Sequence, residues 1–439
     1  MNTLSQVPIE MQYILTTIAN DAALNTGFVK RSCKLNGSRF AQILVFTFLQ
    51  NPDATYTQLA QTAGVLGTSV SRQAIEQRFT PEAAETLRAV LDAAAATVIS
   101  ADPQTLPLLE KFTGVYLQDS SWITLPDTLH DTWEGGKKKN KPNTASVKLH
   151  LRFDIATGTF EHFQLTDGIT ADSAIEKQID MLPSGSLRLA DLGYYSLDTF
   201  KRLSDANAFW ISRYKVKCFL YDETGEPFCL LKWLKKGSDT FKDKQIFIGK
   251  NKRLKARLVV QRLSETETQQ RMKDIKHRAK RKYTKPSPER LQFARWNIYI
   301  TNVGVDQLAA EQICAVARTR WQIELMYKCF KSIGKVDTSR SDKPYRILCE
   351  LYAKLIVAII RHWIMLVVGW RCLKHSLSKT AELISTYARI LAIGFRKSIM
   401  SFRQTFDEIK QAFQNGCYIE RRANRDTTLE YLENAAKNH

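Results

Sequence analysis

The order of hydrophobic periods between Gly114 and Tyr214 limits the possible folds of this chain more than any other feature. Gly114–Asp119 reads as a strand, Ser146–Ile155 alternates apolar and polar residues, and Thr159–Leu165 follows the turn signal A-T-G-T, so three strands form a meander. The period then lengthens. Ala174–Leu182 reads as a helix, Leu187–Asp191 as a short buried strand, Leu197–Asn207 as a second helix and Ala208–Tyr214 as a further strand. A β-β-β-α-β-α-β order predicts an α/β domain in which helices cover a sheet. Its first and fourth strands each end in an acid, Asp119 in V-Y-L-Q-D-S-S and Asp191 in L-R-L-A-D-L-G-Y-Y.

Around this core the patterning differs. From Met11 to about Ile99 apolar residues recur at helical spacing, with Asp102–Pro107 as a linker. Within it, a helix from Thr57 to Ala63, a turn from Gly64 to Gly67, a Ser69 cap and a second helix carrying Ser71, Arg72, Gln73, Gln77 and Arg78 follow helix-turn-helix grammar. Arg72, Gln73 and Arg78 are its candidate DNA contacts. Lys215–Arg295 reads as a β-rich insertion with a basic helical arm, R-M-K-D-I-K-H-R-A-K-R-K-Y-T-K-P, whose Lys280, Arg281 and Lys282 are candidate phosphate ligands. The loop G-G-K-K-K-N-K-P-N offers Lys137, Lys138 and Lys139 for the same purpose, or is simply a solvated loop. W-N-I-Y-I-T-N-V returns to the sheet, a helix starts at Asp306, and the chain from Tyr345 onward is helical. The stretch Leu355–Trp370 is interrupted by Arg361 and His362 and is too short to span a bilayer comfortably, which predicts a buried helix. The implied division is 1–106, 107–340 with the insertion at 215–295, and 341–439.

The segment R-W-Q-I-E-L-M-Y-K-C-F-K, Arg320 to Lys331, joins these parts chemically. As a helix it puts Arg320, Glu324, Tyr327 and Lys331 on one stripe, with Trp321, Leu325, Met326, Cys329 and Phe330 spread over the opposite side. Alone, the stripe would be ordinary i,i+4 ion pairing. With Asp119 and Asp191 it becomes a set of three carboxylates flanked by cations, as two-metal phosphoryl transfer requires. Carboxylates brought close repel one another, and Mg²⁺, a hard ion that prefers oxygen ligands, relieves the repulsion; two ions are expected, with Mn²⁺ as substitute. Lys plus Arg outnumber Asp plus Glu by 64 to 44, a formal charge of +20, which favours a polyanionic partner. The eight cysteines form no C-x-x-C pair, which argues against a zinc site and a disulfide framework and for the reducing cytosol. The N-terminal M-N-T-L-S-Q-V-P-I-E lacks the pattern of a signal peptide. His150, His162, His362 and His375 lack ligand-like spacing.

With these residues in place the chain resembles the DDE transposases of bacterial insertion sequences, specifically the insertion sequence four family, which excises elements through DNA hairpins. The resemblance rests on D-S-S at Asp119, D-L-G-Y-Y at Asp191 and R-x3-E-x6-K at Arg320, Glu324 and Lys331, in that order and with a large insertion before the glutamate. It implies a ribonuclease-H-like catalytic domain with a β-rich insertion, an all-α N-terminal DNA-binding domain and a helical, dimerising C-terminal region. It further implies that Asp119, Asp191 and Glu324 are catalytic and metal-binding, that Arg320 and Lys331 hold phosphates, and that Trp296, otherwise a core residue, stacks on a flipped base. The family's tyrosine three residues before the arginine is here Ala317, with Tyr327 a conceivable replacement, and Leu192 stands where arginine usually follows the second aspartate. The implied partners are the terminal inverted repeats of an element, target DNA and a second copy of the chain. Two other readings remain open at this level: a nuclease of the same fold without strand transfer, and a DNA-binding regulator without catalysis.

Overall fold

Nine strands form among the described residues: β1 (Val115–Leu125), β2 (Ala145–Asp154), β3 (Phe160–Asp167), β4 (Leu187–Ala190), β5 (Phe209–Arg213), β6 (Leu220–Tyr221), β7 (Phe241–Ile248), β8 (Leu254–Arg262) and β9 (Trp296–Thr301). This computed structural model describes residues 3–103, 106–136, 144–175, 181–281, 283–370, 375–420 and 427–437. The chain divides into two units, one of residues 1–104, 120–170 and 323–423 and another of residues 105–119, 171–322 and 424–439. The fold is α/β, as the alternation of periods predicts.

In the second unit the strand order is β1-β4-β5-β9-β8-β7-β6. The pairs β1·β4 and β4·β5 are parallel, and the pairs from β5·β9 outward are antiparallel. Parallel neighbours need a crossover, and the helix Leu197–Asp205 supplies the one from β4 to β5. Ser196 caps that helix by accepting from the Thr199 amide, and Phe200 stacks flat on Trp210 with ring centroids 4.1 Å apart. Leu203, Leu258, Val260 and Ile300 complete this core. The segment read as a β-rich insertion extends the same sheet, because β8 pairs with β9 from Arg257↔Thr301 to Arg262↔Trp296. Its basic arm is the helix Glu265–Arg281, pinned by Arg271, which donates to the Trp296 carbonyl at 2.9 Å and to Asn297 Oδ1 at 2.7 Å.

Asp119 lies within its strand rather than at its end. The run S-S-W-I-T-L keeps extended alternation with Ile123 and Leu125 buried, and β1 stops only before Pro126, which has no amide to donate to a ladder. The cap of the short helix Arg72–Glu76 is Ser71, which accepts from the Ala74 amide, instead of Ser69.

The first unit contains the N-terminal helices, the latter half of β1, β2 and β3, and the helix Pro344–Gly369. That helix is buried without interruption from Arg346 to Leu366, packed on the helices Gly37–Gln50 and Pro81–Ala96. Of the two roles open to its apolar surplus, a dimer interface and packing within its own chain, the surplus is covered inside the unit. Its charged residues find partners inside the unit. Arg346 donates to Glu350 at 2.5 Å and its guanidinium lies over the rings of Tyr56 and Phe79, while Lys354 reaches the carbonyls of Thr338 and Lys335. Arg361 faces the Leu49 carbonyl and Ser385, and burial lowers its pKa to about 10.

His362 is buried with its Nε2 2.7 Å from the Gly158 carbonyl and its ring 4.2 Å from Phe160. Gly158, at φ +70°, leaves room there for Leu366 and Trp370, which a side chain would strike. Burial lowers the His362 pKa from 6.5 to about 4. The unfolded chain takes up this proton near pH 6.5 and the folded chain only near pH 4, so the stabilisation is complete above the unfolded value and is lost as pH falls through that window. Urea unfolding of the wild type should therefore lose stability between these values by up to about 1.4 kcal/mol per pH unit more steeply than His362→Leu. Parallel slopes would show that His362 is not the titrating group.

Candidate active site

In the second unit the parallel register of β1 with β4 runs Val115↔Leu187, Tyr116↔Arg188, Leu117↔Leu189 and Gln118↔Ala190. Asp119 and Asp191 are the next residues on each strand, and Asp191 keeps an extended backbone, so the pleat directs both acids to one face of the sheet. Below them on that face Leu117 and Leu189 are buried. The opposite face carries a polar pair that the sequence reading passed over: Arg188 Nε donates to Gln118 Oε1 at 2.9 Å, with both side chains buried. Its one sequence signal is an arginine inside a four-residue strand that is otherwise apolar.

Arg320 stands 3.6 Å from Asp119 Oδ2, and the two side chains are only 11% and 16% exposed. A guanidinium held beside a carboxylate in so little solvent neutralises it and presents a planar donor fork for an incoming anion. Arg320 directly precedes the helix Trp321–Ser332, and Glu324 follows it by four residues along the chain, in the first turn of that helix.

The part of that helix in the first unit is turned from the face expected. Ile323, Met326, Tyr327 and Phe330 are buried, at i, i+3, i+4 and i+7, whereas Trp321 is 52% exposed. Tyr327 donates its hydroxyl to the Leu149 carbonyl at 3.1 Å, which corrects its assignment as a DNA contact. An aromatic ring whose one polar atom has a buried acceptor packs inward, and Tyr327 fastens the helix to β2. Lys331 is half-buried and donates to the Trp122 carbonyl at 2.8 Å. Trp122 itself is exposed, with its indole N–H on the Gly168 carbonyl and the Lys148 ammonium over its ring.

The candidate DNA ligands divide by burial. Arg72 and Gln73 are exposed, as are Lys280 and Arg281, and Tyr283 beyond them is 98% exposed. Arg78 is engaged internally, donating to the carbonyls of Phe28 and Leu35 with its guanidinium 3.7 Å from the Phe28 ring centroid, so it is corrected from DNA ligand to packing residue. Trp296, the first residue of β9, packs partly against the core of its unit beneath the Arg262 guanidinium. Lys137, Lys138, Lys139 and Lys282 lie outside the described residues.

The paired aspartates fit a divalent cation by chemistry, since they are hard oxygen donors on one face of a fixed sheet. Among the described residues no group of three or more His, Cys, Asp and Glu side chains stands at metal-holding separation. The described cysteines are all free.

The family described as "Transposase DDE domain" matches residues 110–360. The chain is 28% identical over 371 residues to the transposase of insertion sequence element IS231F from Bacillus thuringiensis subsp. israelensis, covering 80% of this chain and 77% of that one. It is 27% identical over 369 residues to the transposase of IS1151 from Clostridium perfringens, covering 78% and 76%. Among solved structures, the piggyBac transposase in a synaptic complex with hairpin DNA is similar at a TM-score of 0.46 and 10% identity, over 95% of this chain and 87% of that one.

Because Tyr327 engages its hydroxyl inside the first unit, Tyr327→Phe should cost about 1–2 kcal/mol of stability in urea unfolding and leave DNA affinity unchanged in a gel-shift titration. Weakened DNA binding at full stability would restore it as a phosphate ligand.

Proposed function

The chain belongs to the family of transposases with a DDE domain, enzymes that act on DNA, and we propose that it performs cut-and-paste transposition with Asp119, Asp191 and Glu324 as its catalytic carboxylates. The observation that carries this reading is the in-register placement of Asp119 and Asp191 on adjacent parallel strands, with the Arg320 guanidinium against Asp119. In this reading the sheet is ribonuclease-H-like, and the division into residues 1–106, 107–340 and 341–439 is one of roles, whereas the two units are divisions of packing.

The residues take distinct tasks. Asp119 and Asp191 supply oxygen ligands for divalent cations, and Glu324 completes the acidic set. When bound, two Mg²⁺ ions, or Mn²⁺ in their place, would activate the attacking hydroxyl and stabilise the leaving oxygen. Arg320 offers a planar fork and Lys331 a point charge to the phosphates flanking the scissile bond. The substrate is the terminal inverted repeat of an element, nicked to expose a 3′-hydroxyl, passed through a hairpin and joined to target DNA. Trp296, at the head of β9, receives the base that such a tight bend extrudes, where stacking is worth about 1–3 kcal/mol. Arg72 and Gln73 contact the end sequence, while Lys280 and Arg281 track the backbone together with the lysines of the 137–139 loop and Lys282. Two ends must be joined, so the active species is a dimer assembled on DNA, without the 344–369 helix as its interface.

Alanine substitution of Asp119, Asp191 or Glu324 should abolish cleavage and joining of labelled element ends in Mg²⁺ on a denaturing gel while leaving end binding nearly intact. A folded variant that still cuts near the wild-type rate would remove that residue from the set. Cleavage without insertion of a pre-cut end into a plasmid would identify a nuclease, and end binding with no cleavage in Mg²⁺ or Mn²⁺ a regulator.

Replacing Lys280 and Arg281 by alanine should weaken binding to all DNA about equally and reduce the salt dependence of affinity by about one counterion for each phosphate that is no longer neutralised. Unchanged slopes would leave these charges facing solvent.

A further inference from the structure

We propose that Asp172 is a positioning residue for Asp191, its carboxylate bracing the Leu192–Tyr194 turn so that the Asp191 carboxylate stays free for the reaction. The proposal rests on the reading of Asp191 as a catalytic ligand. Asp191 occupies the N-cap position of a single 3-10 turn, with an extended backbone at φ −72° and ψ 164°. An aspartate there ordinarily commits its side chain to an amide of the turn it caps. Asp191 does not: the turn closes through the Tyr194 amide on the Asp191 carbonyl at 3.0 Å, and its side chain makes no capping hydrogen bond.

A second acid fills the space beside that turn. Asp172, at the start of the short helix Asp172–Ile175, places its carboxylate so close to Gly193 that a Cβ built there would stand 2.2 Å from Oδ2 and 3.2 Å from Cγ. Gly193 is not among the glycines of positive φ, so no backbone requirement explains the missing side chain. Space does. The chain leaves position 193 bare at the one place where the Asp172 carboxylate meets the turn, two residues after Asp191. Asp172 thus braces the turn in place of a capping side chain and adds negative charge beside the Asp191 loop, which favours a divalent cation.

Asp172→Ala, Gly193→Ala and their double mutant test this, with Asp191→Ala as reference. The Gly193 methyl meets the far end of a side chain, so it should displace the carboxylate while sparing the fold. Each single variant should cleave element ends about 10–100-fold more slowly and bind Mn²⁺ more weakly by electron paramagnetic resonance titration, with end binding and the urea midpoint retained. The double mutant should be no worse than the worse single, since both changes remove the same interaction. Wild-type cleavage and Mn²⁺ affinity in both singles beside an inactive Asp191→Ala, or additive losses in the double, would overturn the proposal alone. An active Asp191→Ala would overturn the catalytic reading beneath it.

Discussion

The parallel pairing of β1 with β4 is the constraint on which the rest of the site depends. In a strand the side-chain period is two, so a slip of one residue would send Asp191 to the face opposite Asp119 and separate the acids by the thickness of the sheet. Two features hold the register against that slip. Leu117 and Leu189 meet as partners on the acidic face and are buried there, and on the other face the Arg188 guanidinium is hydrogen-bonded to Gln118 across the same two strands. The second is the more discriminating. A buried arginine deprived of its partner is costly, whereas a displaced leucine finds other apolar neighbours. The basic residue closest in sequence to Asp191 thus fixes where Asp191 stands, from the opposite face of the sheet.

A chain with a formal charge of +20 invites the inference that its cations meet DNA, but many of them are engaged inside. Arg78, Arg188, Arg346 and Arg361 donate to carbonyls, an amide oxygen or a carboxylate, and burial lowers the pKa of Arg361. Arg271 is half-buried and pins the basic helix to β9, which leaves Lys280 and Arg281 projecting near the far end of that helix. Guanidinium suits both roles for one reason: its planar fork satisfies several acceptors at once and its charge is weakly hydrated. Composition therefore overstates the polyanion-binding surface.

The helix Pro344–Gly369 follows the same rule. Its hydropathy and length would suit a membrane span, yet it is buried from Arg346 to Leu366 within its own unit. Arg346, Glu350 and Lys354 follow one another at four-residue spacing, with the Glu350 carboxylate between the two cations. The interior thereby accommodates charges that would otherwise argue for exposure, and Lys354 ties the helix to the segment that follows Lys331.

The sequence by itself determined the alternation of elements, the two acids on apolar runs, the cation-flanked glutamate and the buried character of the long apolar helix. All of these are local: hydrophobic period, residue type and spacing are written within a window of a few turns or strands. It could not show that β1 runs past Asp119 to Leu125, that β7 and β8 join the main sheet, or that Tyr327 faces inward and Arg78 is internally engaged. The last three depend on an acceptor or strand far away in the chain: the Leu149 carbonyl for Tyr327, the Phe28 and Leu35 carbonyls for Arg78, and β9 for β8. Nor could it single out Asp172 from the other acids of its loop, because what distinguishes that carboxylate is the space left at Gly193, twenty-one residues on. Periodicity reports which face of an element is apolar; which polar group finds a buried partner is decided only when distant segments pack.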